Sequence, residues 1–430
     1  MTVAPVPAEE LVAHWFRRSS GQMVATLTRM FGSHNLELCE DVVQDALLKA
    51  LQEWPYAGIP ANPFAWLVQV AKNSALDTVR RKQRHLEKAA DALLAWEAGD
   101  ATEPGLRQDE IDDVLSLAFL CAHPRLAPEA SVVLALKTVA GFGVAEIAAA
   151  LFLQESAVYQ RLLRAKRQIR ELGLTFELSA QGLAPRLETV LQVLYLWFNE
   201  GYRARSGSEL VRMDLCREAI HLTEMLARHA VLASPTSDAL LALMYFQAAR
   251  FSSRADALGS MLLLKDQDRA SWDRALINAG LVHLDRSARG QALTRYHLEA
   301  GIAACHVVAP TYADTDWEQI VELYEQLLRL APSPIVRLNH CVAISRLRGP
   351  RAALPLVKAL RNDPFFRGYS PVDAILGHLA RELGDFRSAS KHFSAALAGD
   401  FSDPERRCLS ACLDDVRAKL GPVGVSSAGC

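Results

Sequence analysis

The 430-residue sequence contains no apolar run near the roughly 18 residues that a membrane-crossing helix needs. Nor does it open with a basic segment followed by an apolar one, so a soluble, cytoplasmic protein without a membrane partner is expected. Its eight cysteines are scattered and form no CxxC pair, which excludes a zinc ribbon or a disulfide framework and leaves reduced, buried thiols. Alternating Val/Ile/Thr stretches are missing, and strands with them. Walker loops, dinucleotide glycine fingerprints, nucleophile elbows and paired metal-ligand motifs are missing too. The sequence therefore gives no reason to expect an enzyme, a cofactor or a bound metal. An excess of one charge is also lacking: the net value is −2.

That balance is not uniform along the chain. From Lys72 to Lys88 there are six basic residues against two acids, and from Glu155 to Arg170 five against one, while acids collect in 37–53 and 97–113. Two basic stripes fit two phosphate contacts as well as they fit two solvated helix faces.

Apolar residues recur at three- and four-residue spacing almost throughout, so the fold class is all-α. Three blocks follow, at about 11–86, 107–172 and from about 183 onward, with a Gly/Pro-bearing polar linker centred on Glu97–Gly105 and a connector from Gly173 to Pro185. In the third block Ser234-Pro235, Ser333-Pro334 and Ser370-Pro371 offer a Ser cap and a Pro at the first helical position. Thr315–Glu318 fits a capping box, a simpler account than a Mg²⁺ or Ca²⁺ site built from Asp266, Asp268, Asp314 and Asp316. Gly377, Gly384, Ala389, Phe393 and Ala396 have the small and large residues of one tetratricopeptide unit, with Phe393 filling the gap between neighbours. A looser copy spans 335–361, so an α-solenoid of helix pairs is expected. Asn199, Glu200, Tyr202, Arg269 and Trp272 form an aromatic-polar set suited to a ligand pocket or, more simply, a buried brace.

The strongest local signal is Gly141–Arg170. Ile147, Ala148 and Leu151 give one helix an apolar face, Leu153 sits in a turn, and Val158 and Leu162 are buried positions of a second helix. This is helix-turn-helix spacing. The exposed positions are then Glu155, Ser156, Ala157, Tyr159, Gln160, Arg161, Arg164 and Arg167, the first of them suited to base edges and the later basic ones to phosphates. Phe152 stands where Gly is commonest, so a reshaped turn is expected.

Earlier in the chain, an acidic amphipathic helix at Glu40–Leu51 precedes a loop at Trp54–Pro63 and a basic helix from Phe64 to Arg81, about 60 residues before the helix-turn-helix. That order, with the helix-turn-helix behind it, closely resembles the sigma-70 family of bacterial transcription initiation factors, and within it the extracytoplasmic-function group. The resemblance implies a region 2 bundle over 1–88, a linker at 89–106 and a region 4 domain over 107–176. It implies that Asp41, Gln44, Asp45 and Lys49 meet the β′ clamp helices of core RNA polymerase, and that the helix-turn-helix reads the −35 element and meets the β flap. It implies that the loop and Phe64–Trp66 capture a flipped base of the −10 element, with Asn73, Asp77, Arg80, Arg81 and Arg84 on the reading helix. Read as residues alone, Trp66 also suits plain core, and Asp45 with Lys49 a surface ion pair.

Leu194–Tyr202, Leu264–Trp272, Ala313–Trp317 and Ser333–Asn339 resemble, in a match running to about residue 400, the tetratricopeptide-like domain fused to one subgroup, which implies that 183–430 is a self-regulating domain with a protein or peptide partner. The leading reading is a sigma factor directing core polymerase to −10/−35 promoters on the nucleoid. A helix-turn-helix regulator with a tetratricopeptide-like sensor is the alternative, and the acidic helix with its aromatic loop is what such a regulator does not need.

Overall fold

Cys39, Val42, Val43, Ala46, Leu47, Ala50 and Trp54 fall every three or four residues on one stripe, and burying that stripe turns Leu36–Ala57 into a helix, α2. It packs between α1 (Ala8–Phe31) and α3 (Pro63–Glu87), whose own buried stripe is Leu67, Ala71 and Ala75. The computed structural model describes residues 8–87, 112–174, 180–203 and 209–420. The expected linker at 89–106, centred on Glu97–Gly105, lies wholly outside them. The described residues hold eighteen α-helices, five short 3-10 turns and no strand, so the fold is all-α. The chain divides into two compact units, residues 1–197 and 198–430.

In the first unit, α4 (Asp113–Cys121), α5 (Pro128–Thr138), α6 (Val144–Leu151) and α7 (Glu155–Leu172) follow the three-helix bundle. Asp112 caps α4 by accepting from the Val114 N–H at 2.9 Å. Pro185, expected in a connector, lies inside α8 (Ala180–Tyr202), and Pro55 lies inside the end of α2. The loop before Pro63 is thereby shortened to 58–62, because Gly58, at φ +82°, ends α2 only after Tyr56 and Ala57.

In the second unit α9 (Met213–Arg228) and α10 (Pro235–Ala248) lead through a short-turn segment to α11 (Arg274–Ser287), α12 (Arg295–Val308), α13 (Trp317–Leu330), α14 (Pro334–Arg348), α15 (Pro350–Arg361), α16 (Pro371–Glu382), α17 (Phe386–Leu397) and α18 (Asp403–Leu420). From α9 to α18 each helix packs against its neighbours in sequence. Gly384, at φ +76°, turns α16 into α17. A Cβ on Gly377 would meet the Phe393 ring at 2.7 Å, so glycine is what lets this pair of helices close. Phe393 therefore fills space inside its own pair as well as against Leu409, Leu413 and Val416 of α18.

Of the three Ser-Pro starts, only Ser234 makes a side-chain cap, accepting from the Ser237 N–H at 3.1 Å. The expected cap at Thr315 is corrected. Asp316 caps α13 by accepting from the Gln319 N–H at 2.9 Å, and Thr315 is buried, accepting instead from Arg269 at 3.2 Å.

The aromatic-polar set divides into separate braces. Glu200 pairs with Arg212 at 3.0 Å. Arg269 donates to the Ala309 carbonyl at 2.8 Å and to the His306 carbonyl, and stacks 4.7 Å above the Trp272 ring. Tyr202 lies 3.8 Å beneath Arg254, whose guanidinium donates to the Tyr202 carbonyl. All seven described cysteines are free.

Two histidines of this unit tie its stability to pH. Burial, reinforced by Arg250 and Arg269, holds the His306 imidazole down at about 3. Burial and then Arg381, Lys265 and Arg346 hold His378 at about 4. Each stays neutral in the fold while the unfolded chain takes up a proton below its ordinary value near 6.5. Stability is then unaffected above that value and falls as pH drops towards 4, by up to about 1.4 kcal/mol per pH unit for each histidine. Urea midpoints from pH 7 to pH 4.5 check this, with His378→Asn expected to flatten the decline.

Candidate nucleic-acid interface

The helix-turn-helix is built by α6 and α7. Glu146 reaches back to accept from the Gly143 N–H at 2.7 Å and starts α6. Ile147, Ala148, Val158 and Leu162 are buried where the two helices meet, with Leu151 and Leu153 half-buried. The turn is not reshaped. Phe152 adopts the left-handed conformation itself, at φ +54°, and the Leu153 N–H closes on the Ala148 carbonyl at 2.8 Å. It is the sole non-glycine with positive φ among the described residues. Holding a phenylalanine there costs about 1–2 kcal/mol, which the α6–α7 crossing must outweigh.

On α7, Glu155, Ser156, Tyr159, Gln160, Arg164 and Arg167 are exposed, and Ala157 and Arg161 half-buried. Arg167 is held by Glu171 at 2.6 Å, which leaves Arg161 and Arg164 as the better-placed cations on this face.

On α3, Asn62 accepts from the Ala65 N–H at 3.1 Å and Pro63 begins the helix, fixing its entry. Asn73, Asp77, Arg80 and Arg81 are exposed on one face, spaced at one-turn and two-turn intervals opposite Leu67, Ala71 and Ala75. Asn73 accepts from Gln69 at 3.0 Å. Arg84 lies on the same helix, but its side chain falls outside the described residues. Trp66 is half-buried and meets Trp54 edge to face at 5.6 Å, so it is neither plain core nor a freely presented ring. The ring that does stand out is Tyr56, 93% exposed beside this loop, which residue-by-residue reading did not single out. Its signal was the Pro-Tyr pair at the end of an amphipathic helix, where the stripe no longer demands an apolar residue.

On α2, Asp41, Gln44, Asp45 and Lys49 are all exposed. Lys49 pairs with Glu53 at 3.7 Å, one turn onward, and not with Asp45. Burial raises the Asp41 carboxyl above its usual range, opposed by nearby Lys166 and reinforced by Glu40. The structure thus presents an acidic ridge on α2, a polar-basic face on α3 and a polar-basic face on α7. No cluster of His, Cys, Asp and Glu able to hold a metal occurs among the described residues. No described helix is long and apolar enough to cross a membrane.

Residues 15–85 match the family described as Sigma-70 region 2, residues 116–169 match Sigma-70, region 4, and residues 186–288 match a family of unknown function, DUF6596. An uncharacterized protein of Rhizobium meliloti is 39% identical over 406 residues, covering 94% of this chain and 95% of that protein. The ECF RNA polymerase sigma factor SigL of Mycobacterium tuberculosis is 33% identical over 142 residues, 32% of this chain and 77% of the relative. The probable RNA polymerase sigma factor RfaY of Xanthomonas campestris is 30% identical over 168 residues, and the match spans 38% of this chain and 41% of that protein.

Proposed function

Because the chain belongs to the extracytoplasmic-function group of the sigma-70 family and is an RNA polymerase sigma factor, we propose that it directs core polymerase to promoters with −10 and −35 elements under the control of its own C-terminal helical unit. As a sigma factor it works with RNA polymerase core and promoter DNA in the cell interior and is not an enzyme.

In this reading residues 1–88 bind core polymerase and open the −10 element, 107–176 read the −35 element and 183–430 regulate. Asp41, Gln44, Asp45 and Lys49 meet the clamp helices of the polymerase β′ subunit, and the helix-turn-helix meets the β flap. Asn73, Asp77, Arg80, Arg81 and Arg84 hold the −10 strand, with Trp66 lining the pocket for a flipped base. Flipping costs a few kcal/mol that aromatic stacking must return. Glu155, Ser156, Ala157, Tyr159 and Gln160 approach base edges, while Arg161, Arg164 and Arg167 approach phosphates.

The observation that carries the proposal is that two helices with exposed polar-basic faces, α3 and α7, follow an exposed acidic ridge on α2 within one unit. A regulator that only recruits a polymerase already carrying its sigma factor has no use for that ridge. The likeness to the Rhizobium meliloti relative runs through both units, so the C-terminal unit accompanies the sigma regions there as well.

The test is run-off transcription with sigma-free core polymerase on the promoter of the protein's own operon. Initiation dependent on this protein alone is expected. Initiation by residues 1–180 but not by the full chain would assign the C-terminal unit an inhibitory role. DNA binding without initiation by either form would replace the proposal with a helix-turn-helix regulator.

A further inference from the structure

Five of the seven described thiols, Cys39, Cys121, Cys216, Cys305 and Cys341, are pushed up by burial, away from the reactive thiolate. Cys408 and Cys412 of α18 differ from them. They lie one turn apart on one helix, and the Cys408 thiol donates to the Cys412 sulfur. Arg381 of α16 also donates to that sulfur, at 3.5 Å. The hydrogen bond from Cys408 and then the Arg381 charge pull Cys412 down, past the opposing effects of burial and of Asp415. Cys408, the donor of the pair, is pushed up, with Asp266 of the short-turn segment adding to it. Arg381 is itself positioned: it donates to Nδ1 of His378 at 3.3 Å and lies 4.0 Å from Asp415. The pair sits at the rim of the core, not in its centre. Cys408 is half-buried, Cys412 is 9% exposed, and Ala411 and Asp415 on the same edge of α18 are exposed.

We propose that Cys412 and Cys408 are a peroxide-reactive dithiol, in which Cys412 supplies the attacking thiolate, Arg381 holds its charge, and Cys408 closes on the oxidised sulfur to form a disulfide within α18.

The Cys412 sulfur attacks one oxygen of hydrogen peroxide. The S–O bond forms, the O–O bond breaks, and the departing hydroxide takes a proton from solvent and leaves as water. Cys412 is then a sulfenic acid, oxidised by the two electrons that the peroxide has gained. The Cys408 sulfur next attacks the Cys412 sulfur. The S–S bond forms, the S–O bond breaks, and the hydroxyl leaves with the Cys408 proton as a second water. Two thiols and one peroxide thus give one disulfide and two waters. The arrangement favours this order, because the sulfur beside the guanidinium is the nucleophile and the resolving thiol already touches it. The product is strained. Side chains one turn apart on a helix have Cβ atoms about 5–6 Å apart, whereas a disulfide draws them to about 3.5–4.5 Å. That turn of α18 must distort, at the point where Leu409, Leu413 and Val416 enter the core with Phe393. Strained disulfides are the readily reduced ones, so thiol reductants reverse the reaction.

The test treats the folded full chain with hydrogen peroxide at neutral pH, unfolds it, alkylates the remaining thiols with iodoacetamide and digests with trypsin. Cleavage after Arg407 and Arg417 releases residues 408–417, which carry both sulfurs and no other cysteine. This peptide is expected to lose two hydrogens at peroxide doses that leave Cys216 and Cys341 fully alkylated, and dithiothreitol should restore it. Cys408→Ser, which keeps a donor beside Cys412, should stop the reaction at a sulfenic acid on Cys412 that dimedone traps. Arg381→Gln should slow the oxidation several-fold, and Arg381→Lys should recover part of the rate, with circular dichroism confirming that each variant keeps its helices. Oxidation of the 408–417 peptide no sooner than of Cys216 and Cys341 would overturn the site. Dimedone trapping at Cys408 in the unaltered chain, or an unchanged rate in Arg381→Gln, would overturn the assigned roles. The unaltered chain decides the first of these whatever the variants do.

Discussion

Phe393→Ala is expected to remove about 3–5 kcal/mol from the C-terminal unit, the range for deleting a fully buried ring. Phe393 is wholly buried, its ring lies against the space that Gly377 leaves open, and His378 meets it edge to face at 5.0 Å. Leu409, Leu413 and Val416 of α18 close the other side. The neighbours are held by two helices, α16 and α18, on either side of Phe393's own, so the cavity has little means of collapsing. For a unit of this size each kcal/mol moves the melting midpoint by about 2–4 °C, so calorimetry should show a drop of about 6–20 °C in the second unit's transition. A drop below about 3 °C would mean that α16, α17 and α18 repack around the gap. The opposite error has a smaller expected cost. Gly377→Ala pushes a methyl group into the same ring, an overpacking penalty of about 1–3 kcal/mol.

Replacing Arg161 and Arg164 together by alanine is expected to weaken binding to a −35 duplex by about 1–3 kcal/mol, roughly five- to 150-fold. Both lie on the exposed side of α7, opposite the buried row Val158, Leu162, Ala165 and Ile169. If both neutralise phosphates, the slope of log affinity against log salt shrinks by about 1.8. Arg167→Ala should do less, since Glu171 already holds that guanidinium at 2.6 Å and an arginine bound for DNA must first leave it. Fluorescence anisotropy at four salt concentrations separates the cases. An unchanged slope in the double variant would remove both arginines from the interface, and an equal effect from Arg167 would show that its exposed ion pair gives way to phosphate without cost.

Much of this was readable in the sequence because it is local. The stripe from Cys39 to Trp54, the crossing residues Ile147, Ala148, Val158 and Leu162, and the Gly377–Gly384–Phe393 spacing each declare themselves within one or two helices. Helical period converts such spacing into a buried face without knowledge of the partner. Where local preference and packing disagree, packing wins, as at Phe152, which keeps a left-handed turn because the α6–α7 crossing requires one. At Thr315 a cap was declined because Arg269, 46 residues away, took the hydroxyl. The end of α2 moved for a related reason: Trp54 has a core to enter, and its helix carries Pro55 and Tyr56 along.

The sequence by itself determined that the chain is all-α, that one helix-turn-helix follows an acidic and then a basic helix, and that a long helical extension comes after. Those properties rest on period, charge order and cap chemistry, which act over a few residues. Only the tertiary structure decided that Glu40 is shared by Thr138 and Lys166, that Glu37 holds Arg170, and that Gly21 lies against Val139. Those partners are separated by 98 positions in the Thr138 pair and 133 in the Arg170 pair. A lone glutamate on an exposed helix carries no mark of which distant base will meet it, because Coulomb attraction and close packing depend on distance in space and not along the chain.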